Sequence, residues 1–269
     1  VIPWQMPLLN MRTHRKILVV DGATSFTGGM NIGAENLRSC PPLDGVRDVH
    51  FRIDGPVVTQ IAETFAEDWL FATAQSIDDM VTAPAPPAGE ATARIVTSGP
   101  DQDLARLEMV MLSAINTARR TIRVVTPYFL PNDGIVMALE LAALRGVSVE
   151  IVIPQRCDHR FMNWAMMAHI GPLLEAGCRI WHAGDPFNHS KLMTVDGTWS
   201  LVGSANWDAR SLRLNFELDV EVYDEPLAAL LERTMESMRD AEVTMTEVTG
   251  RPLPFVLRDS VVRLMLPYL

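Results

Sequence analysis

One stretch of nineteen residues occurs twice in this sequence, and the second copy begins 175 positions after the first. Residues 14–32 and 189–207 align without a gap, and eight of the nineteen positions are identical, whereas chance would give about one or two. Both copies follow the pattern H-x-K-x4-D-x6-G-[GS]-x-N. Because repeated sequence units fold as repeated structural units, we expect two related lobes.

A Pro-rich segment at residues 83–92 separates the two copies. Such a segment cannot continue a helix or a central strand, so we place the lobe boundary there. Residues 1–82 then form the C-terminal part of a first lobe, residues 93–248 a complete second lobe, and residues 249–269 an amphipathic tail.

The second lobe alternates between predicted strands and helices. The strands are expected at 94–97, 121–128 and 147–153, and the helices at 104–119 and 134–145. This alternation predicts an α/β fold with βαβ units, in which a mixed, mostly parallel sheet is flanked by helices. After each motif a further strand leads into a helix with Pro near its first turn, at about 57–71 and 227–239.

The first copy of the motif predicts a β-hairpin. In the strand that begins it, residues i and i+2 face the same side, so His14 and Lys16 project together. Asp21-Gly22 is typical of a tight turn. If the turn is centred on Gly22-Ala23, His14 lies opposite Asn31 and Lys16 lies opposite Gly29. A register that differs by one residue still leaves residues 28–31 facing His14 and Lys16.

The same geometry in the second copy places His189 opposite Asn206 and Lys191 opposite Ser204. Each hairpin then gathers an imidazole, an ammonium and a carboxamide, beside small residues that allow close approach of a ligand. These groups suit a phosphate, because Lys and Asn bind its oxygens and His can attack or transfer a proton. Two copies allow a nucleophile on one side of phosphorus and an acid on the other.

The predicted catalytic set contains the motif residues His14, Lys16, Asp21, His189, Lys191 and Asp196. The two aspartates have two readings, a catalytic carboxylate or a turn residue that orders the hairpin, and we favour the ordering role. We expect no metal and no cofactor, since a charged Lys cannot be a metal ligand where H-x-H would have provided two ligands.

The composition restricts the partners. The net charge of −10 and the pI near 5.1 disfavour a general nucleic-acid binder, which normally has an excess of Lys and Arg. The three cysteines have no C-x-x-C spacing, so neither a disulfide framework nor a zinc site is indicated. No run approaches the roughly 18 apolar residues of a membrane span.

The motif residues resemble those of the phospholipase D superfamily and, within it, of bacterial cardiolipin synthases. The resemblance rests on residues 14–22 with 27–33, on residues 188–191 with 203–211, and on the segment 126–131, which resembles the strand end that lines the active cleft of the family. It implies a two-lobe fold with pseudo-twofold symmetry and an active site between the lobes.

The resemblance also implies roles for individual residues. His14 matches the nucleophile of the family and His189 its acid. Glu217 matches a carboxylate that steadies an imidazole, and Asp48 is its expected counterpart, although the spacing to the following Asp differs by one residue between the copies. Gly29 departs from the usual Ser. The expected substrate-binding residues are Asn31, Asn206, Ser204, Gly29, Glu217 and Asp48.

The function implied is a phosphatidyltransferase that converts phosphatidylglycerol to cardiolipin and glycerol through a phospho-histidine. A lipid-hydrolysing phospholipase D is the alternative, followed by a nuclease of the superfamily and a binding lobe without catalysis. The expected partners are a phospholipid and a membrane surface, with no nucleic acid. The tail has two readings, lying on a bilayer or docking onto the sheet as a closing helix.

The two lobes differ in the length that precedes their motifs. The second lobe has 95 residues between its first predicted strand and His189, whereas 13 residues precede His14. We therefore expect about 80 residues of the first lobe to be absent from this chain. A membrane anchor would be absent with them, the location would be a bacterial inner membrane, and the fragment alone would be poorly stable and largely inactive.

Overall fold

The computed structural model describes residues 12–37, 45–77, 84–158 and 160–265. The strands are β1 (Arg12–Thr13), β2 (Ile17–Val20), β3 (Thr24–Gly28), β4 (Val46–Arg47), β5 (His50–Asp54), β6 (Thr92–Ser98), β7 (Thr121–Val125), β8 (Phe129–Leu130), β9 (Ser148–Pro154), β10 (Arg179–Ala183), β11 (Phe187–Asn188), β12 (Leu192–Val195), β13 (Trp199–Gly203), β14 (Trp207–Asp208), β15 (Asn215–Tyr223) and β16 (Ala241–Glu242). The helices are α1 (Val57–Thr73), α2 (Arg106–Thr117), α3 (Asp133–Leu144), α4 (Arg160–His169), α5 (Gly171–Glu175), α6 (Ala209–Arg213), α7 (Glu225–Ser237), α8 (Met245–Thr249) and α9 (Leu253–Met265), with a 3-10 helix at Ala34–Asn36.

A nine-stranded sheet runs through the described part of the chain, in the order β1-β15-β13-β12-β7-β9-β10-β16 with β6 also on β15. The fold is mixed α/β, as predicted. The expectation of a mostly parallel sheet was wrong, because antiparallel pairs outnumber parallel ones among the described strands. The motif hairpin β12-β13 lies inside the sheet and β15 follows it antiparallel, so the βαβ geometry is limited to β7, β9 and β10.

The central strands of this sheet are buried on both faces. Ile122 and Ile151 point into a core with Leu139 of α3, whereas Val125 and Val152 point into a second core with residues of α7. Strands that are covered on both faces need apolar residues at nearly every position, and the near-continuous apolar runs of β7 and β9 meet that need.

A smaller sheet, β2-β3-β5, comes from the first copy of the motif. Its inward residues, with those of α1, pack against the second core of the large sheet. The predicted strand and helix after each motif are present, and both helices lie within two residues of their expected bounds. Residues 84–91 contain neither helix nor strand, and the proposed division into lobes at 83–92 stays a prediction. Cys40 and residue 83 lie outside the described residues.

The hairpin register differs by one residue from the expected one. Ile17 pairs with Thr27, and Leu192 pairs with Val202, so each hairpin is centred on its Gly rather than on the following peptide bond. The reason is an extra turn residue: Asp21 and Gly22 both have positive φ, as in a mirror-image turn, and Ala23 follows them before the strands pair. Thr198 is the corresponding residue in the second copy.

The C-terminal tail forms α9, which packs against α4 rather than against the sheet. Two arginines, Arg251 and Arg258, bind the buried carboxylate of Asp259. The docked helix that was one of the two readings of the tail is therefore present, with α4 as its partner. No helix in the described part of the chain is long and apolar enough to cross a membrane.

Candidate active site

Two short parallel strand pairs bring the halves of the chain together at the motif histidines. β1 pairs with the start of β15, and the backbone N–H of His14 donates to the carbonyl oxygen of Phe216 at 2.9 Å. β4 pairs with β11, and the N–H of His189 donates to the carbonyl oxygen of Arg47 at 2.8 Å. Each histidine therefore lies beside the residue that precedes a carboxylate of the opposite half.

His14 is held by Glu217, which belongs to the second half. The Nδ1 atom of His14 lies 2.9 Å from Oε2 of Glu217, which is fully buried. The same carboxylate accepts hydrogen bonds from Ser204 Oγ at 2.6 Å and from Asn215 Nδ2 at 3.2 Å. These two hydrogen bonds hold the Glu217 carboxylate in place. The carboxylate in turn orients the imidazole of His14, so that its Nε2 atom remains available to react.

His189 is held by Asp48, which belongs to the first half. Its Nδ1 atom lies 2.8 Å from Oδ2 of Asp48, whose other oxygen accepts from the Val49 N–H at 2.8 Å. Burial lowers the pKa of His189, and the bond with Asp48 acts in the opposite direction with a smaller effect. The two carboxylates are thus crossed, so that each half of the chain completes the histidine of the other.

Gly29 stands where the second motif has Ser204, and the structure gives a steric reason. A Cβ atom at Gly29 would lie 2.5 Å from Oδ1 of Asp48, far inside van der Waals contact. Ser204, in contrast, has room for its side chain and donates to the longer Glu217. In the first copy, the shorter Asp48 therefore occurs together with Gly29, which has no side chain that would collide with it.

The motif lysines lie within the same group of charges. Lys16 Nζ donates to the carbonyl oxygen of His14 at 2.7 Å, and Lys191 donates to that of His189. Burial lowers the pKa of Lys16 to about 8, an effect that Glu217 and then Asp48 partly oppose. Burial likewise lowers the pKa of Lys191 to about 7. The carboxylates of both halves thus act on each lysine, as expected for one shared site.

Strand β15 contributes a row of polar residues, of which the sequence analysis identified only Glu217. Asn215, Glu217, Asp219 and Glu221 alternate with apolar residues and are all buried. Burial raises the pKa of Asp219 to about 8, with Glu217 as the next cause and Lys191 opposing it. The detectable signal is a row of polar residues at every second position of an otherwise apolar strand, since such a row faces one side of the sheet.

The two motif asparagines are in different environments. Asn206 is buried, and its Oδ1 atom has no hydrogen-bond partner in the described structure. Asn31 is exposed, and its carbonyl oxygen accepts from Asn36 at 3.1 Å. Asn206 is therefore placed with a free acceptor at the site, whereas Asn31 is in contact with solvent.

The motif aspartates lie at the hairpin turns. Asp196 accepts hydrogen bonds from the backbone N–H groups of Arg119, Arg120 and Thr121 at 2.7 to 3.3 Å. These bonds lower its pKa against the opposing effect of burial, which is the largest single cause. Asp21 is exposed at the equivalent turn. The geometry of Asp196 is that of a residue that orders the backbone.

A cavity of about 760 Å³ opens on the His14 side of the site. Its lining includes His14, Tyr128, Phe161, Met162, Asn206 and Arg213. Tyr128 donates to Asp158 at 2.6 Å and contacts the ring of Phe187, which in turn contacts the ring of His189. The lining thus combines apolar side chains with many polar and charged ones and is connected to both histidines, which suits an amphipathic ligand with a charged headgroup.

The site residues were also tested as metal ligands. Among the described residues, no group of three His, Cys, Asp or Glu side chains is arranged to hold a metal ion. Cys157 and Cys178 are free thiols, and burial raises the pKa of each to about 12. Protonated thiols are poor metal ligands.

Comparisons with known proteins find similar sequences among the cardiolipin synthases. Residues 111–239 match the family described as "Cardiolipin synthase, PLD-like domain". The chain is 37% identical over 266 residues to the major cardiolipin synthase ClsA of Bacillus subtilis, with 97% of this chain and 55% of that protein covered. The matched region, residues 111–239, is therefore a PLD-like domain. Cardiolipin synthase A of Pseudomonas fluorescens is 39% identical over 227 residues, covering 84% of this chain and 47% of that protein.

A solved structure of the superfamily shares the fold. The phosphatidylserine synthase of Haemophilus influenzae superimposes with a TM-score of 0.70 at 17% identity, covering 97% of this chain and 72% of that one. The chain spans about half the length of the cardiolipin synthases that it matches. The comparisons therefore show the fold over 97% of this chain and a PLD-like domain at residues 111–239.

Proposed function

We propose that this protein is a phosphatidyltransferase of the cardiolipin synthase type. The observation that carries the proposal is the crossed pair of histidines, each with its Nδ1 atom bound to a carboxylate of the opposite half. This arrangement leaves two oriented Nε2 atoms in one site, one for attack on phosphorus and one for proton transfer. The names of the similar proteins support the choice of phospholipid.

In the first step, Nε2 of His14 attacks the phosphorus of one phosphatidylglycerol. The bond from phosphorus to the headgroup oxygen breaks, and His189 donates a proton to the departing glycerol. The product is phosphatidyl-His14. The cavity beside His14 would hold the part of the lipid that is retained, and Lys16 and Lys191 would neutralise the non-bridging oxygens.

In the second step, His189 removes a proton from a headgroup hydroxyl of another phosphatidylglycerol. The hydroxyl oxygen attacks phosphorus, the bond from phosphorus to nitrogen breaks, and cardiolipin and free His14 result. Glu217 and Asp48 hold the two imidazoles in the required tautomers. We also propose that the protein acts at a membrane, because the donor and the acceptor phosphatidylglycerol are both present there.

The test is to supply labelled phosphatidylglycerol in vesicles to the full-length protein and to separate the products. Cardiolipin and glycerol are expected, and they should be absent with His14→Ala. Phosphatidic acid in place of cardiolipin would show that water is the acceptor and that the protein is a hydrolase. Cardiolipin formation by the His14→Ala variant would contradict the proposed nucleophile.

A further inference from the structure

Helix α9 has an apolar stripe on the side opposite to its contact with the protein. Leu253, Leu257 and Val261 are spaced by four residues and are 68%, 57% and 57% exposed, so they share one face of the helix. The opposite face contains the fully buried Asp259 and Val262, which packs against the core. The stripe is thus an apolar surface on a helix that is already docked.

The surroundings of the stripe are cationic in a chain of net charge −10. The segment from Arg251 to residue 263 has three arginines and one acidic residue, and α4 has Arg160 and no acidic residue. Arg258 lies over the ring of Trp164 at 3.8 Å and over that of Phe255 at 5.0 Å. Arginine, Trp and exposed Leu side by side are the composition of surfaces that bind anionic bilayers.

The same helix pair leads to the cavity of the active site. α9 packs along α4, and Phe161 and Met162 of α4 line the cavity that also contains His14. A bilayer lying against α9 would therefore be next to the site that, on our proposal, takes its substrate from that bilayer. No other exposed stripe in the described structure combines these three properties.

We propose that the apolar stripe of α9, with the arginines beside it, is the surface through which the protein lies on a bilayer containing anionic phospholipid. The choice of substrate in this proposal rests on the proposed function, but the surface itself can be tested without turnover. Exposed Leu and Val side chains would enter the region between headgroups and acyl chains, and the net positive charge beside them would strengthen binding to anionic headgroups.

The chain offers a matched control on another helix. Met137, Leu141 and Leu144 form an exposed apolar stripe on α3, but α3 contains two acidic residues and no arginine. Two triple variants can therefore be compared, L253Q/L257Q/V261Q on α9 and M137Q/L141Q/L144Q on α3. Both replace three exposed apolar side chains by glutamine and leave the catalytic residues unchanged.

The experiment is sedimentation of each variant with phosphatidylcholine vesicles that contain or lack phosphatidylglycerol, at low and high salt. We expect the unchanged protein to need phosphatidylglycerol for binding and to lose affinity at high salt. The α9 variant should bind about tenfold or more weakly, and the α3 variant should bind as the unchanged protein does. Equal binding by the α9 variant, or equal loss in both variants, would overturn the proposal.

Two further readouts separate this surface from the active site and from another partner. With a soluble short-chain phosphatidylglycerol, the α9 variant should keep its turnover while turnover on vesicles falls. If no lipid is turned over by any form, the proposed function fails and vesicle binding still decides the surface. A change of oligomeric state in the α9 variant, with vesicle binding retained, would identify a second copy as the partner and refute the bilayer.

Discussion

The two halves of the active site have the same plan and differ in its details. His14 is held by a glutamate that two further side chains bind, whereas His189 is held by an aspartate that approaches a glycine. The residue two positions after the carboxylate is Asp219 in one half and His50 in the other, as the pairing with Gly203 and Gly28 shows. The backbones of the two copies are therefore similar, whereas the charges around the two histidines differ, which fits the different roles that we propose for them.

The largest effect should come from the histidines themselves. His14→Gln is expected to lower turnover of phosphatidylglycerol by roughly a thousandfold or more, and His189→Asn by about a hundredfold or more. A substrate with a p-nitrophenol leaving group needs no acid, so His189→Asn should still release p-nitrophenolate in a first turnover, and His14→Gln should not. Stopped-flow absorbance measures this burst. The reverse result would exchange the two roles.

The next effect concerns the glycine. Gly29→Ser should push Asp48 away from His189 and lower kcat by about a hundredfold, as expected for a misplaced catalytic group. Ser204→Ala removes one hydrogen bond to Glu217 and should lower kcat by about tenfold or less. Gly89→Ser is the control, because a Cβ there meets nothing within 4 Å. Similar losses for Gly29→Ser and Ser204→Ala would mean that the steric asymmetry has no consequence.

The lysines predict a pH dependence that also differs between the halves. The pKa of Lys191 is lowered to about 7 and that of Lys16 to about 8, so their positive charges are present below these values and are lost as pH rises through them. We expect kcat/KM for a soluble anionic lipid to fall above about pH 7, with the increase in KM as the main part. Circular dichroism over the same range controls for unfolding. A constant kcat/KM up to pH 9 would contradict the prediction.

The smallest effect compares the two hairpin turns. Asp196→Ala removes the acceptor of three backbone N–H groups and should lower the free energy of unfolding by about 1 to 3 kcal/mol. Asp21→Ala, at an exposed position that also has a positive φ, should have a smaller effect of about 1 kcal/mol or less. Thermal unfolding measures both. A specific loss of kcat in folded Asp196→Ala protein would instead favour the catalytic reading of this aspartate.

The sequence was sufficient for the repeat, the two hairpins and the strands and helices that follow them. Local patterns set these features, since a turn residue, an apolar run and a Pro each act within a few positions. The hairpin register differs by one residue from that of a turn made by Gly22 and Ala23 alone, because Asp21, and Asp196 in the second copy, also belong to the loops. The expectation of a mostly parallel sheet was wrong because the hairpin β12-β13 lies inside the sheet and pairs with its neighbours in antiparallel orientation. The alternation of predicted strands and helices does not indicate this.

The crossing of the carboxylates could not be predicted from local patterns. The spacing placed Glu217 and Asp48 after their own motifs, but which histidine each one binds depends on the strand pairs β1-β15 and β4-β11, which join residues about 140 to 200 positions apart. The spacing from the carboxylate to the following Asp differs by one residue between the copies for a local reason. At the junction between the strand and the next helix, the first copy has Gly55 where the second copy has Asp224.

Because of this crossing, the reactivity of the histidines depends on how the two halves are docked. Any movement that separates β1 from β15 and β4 from β11 removes both carboxylates from their imidazoles at once, and neither half retains an oriented histidine. A movement that separates the two halves as a whole therefore affects both histidines together. On the proposed mechanism, a separated half would lack the oriented imidazole on which the phosphatidyl-enzyme forms, so loss of this intermediate to water would be limited by the docking of the two halves.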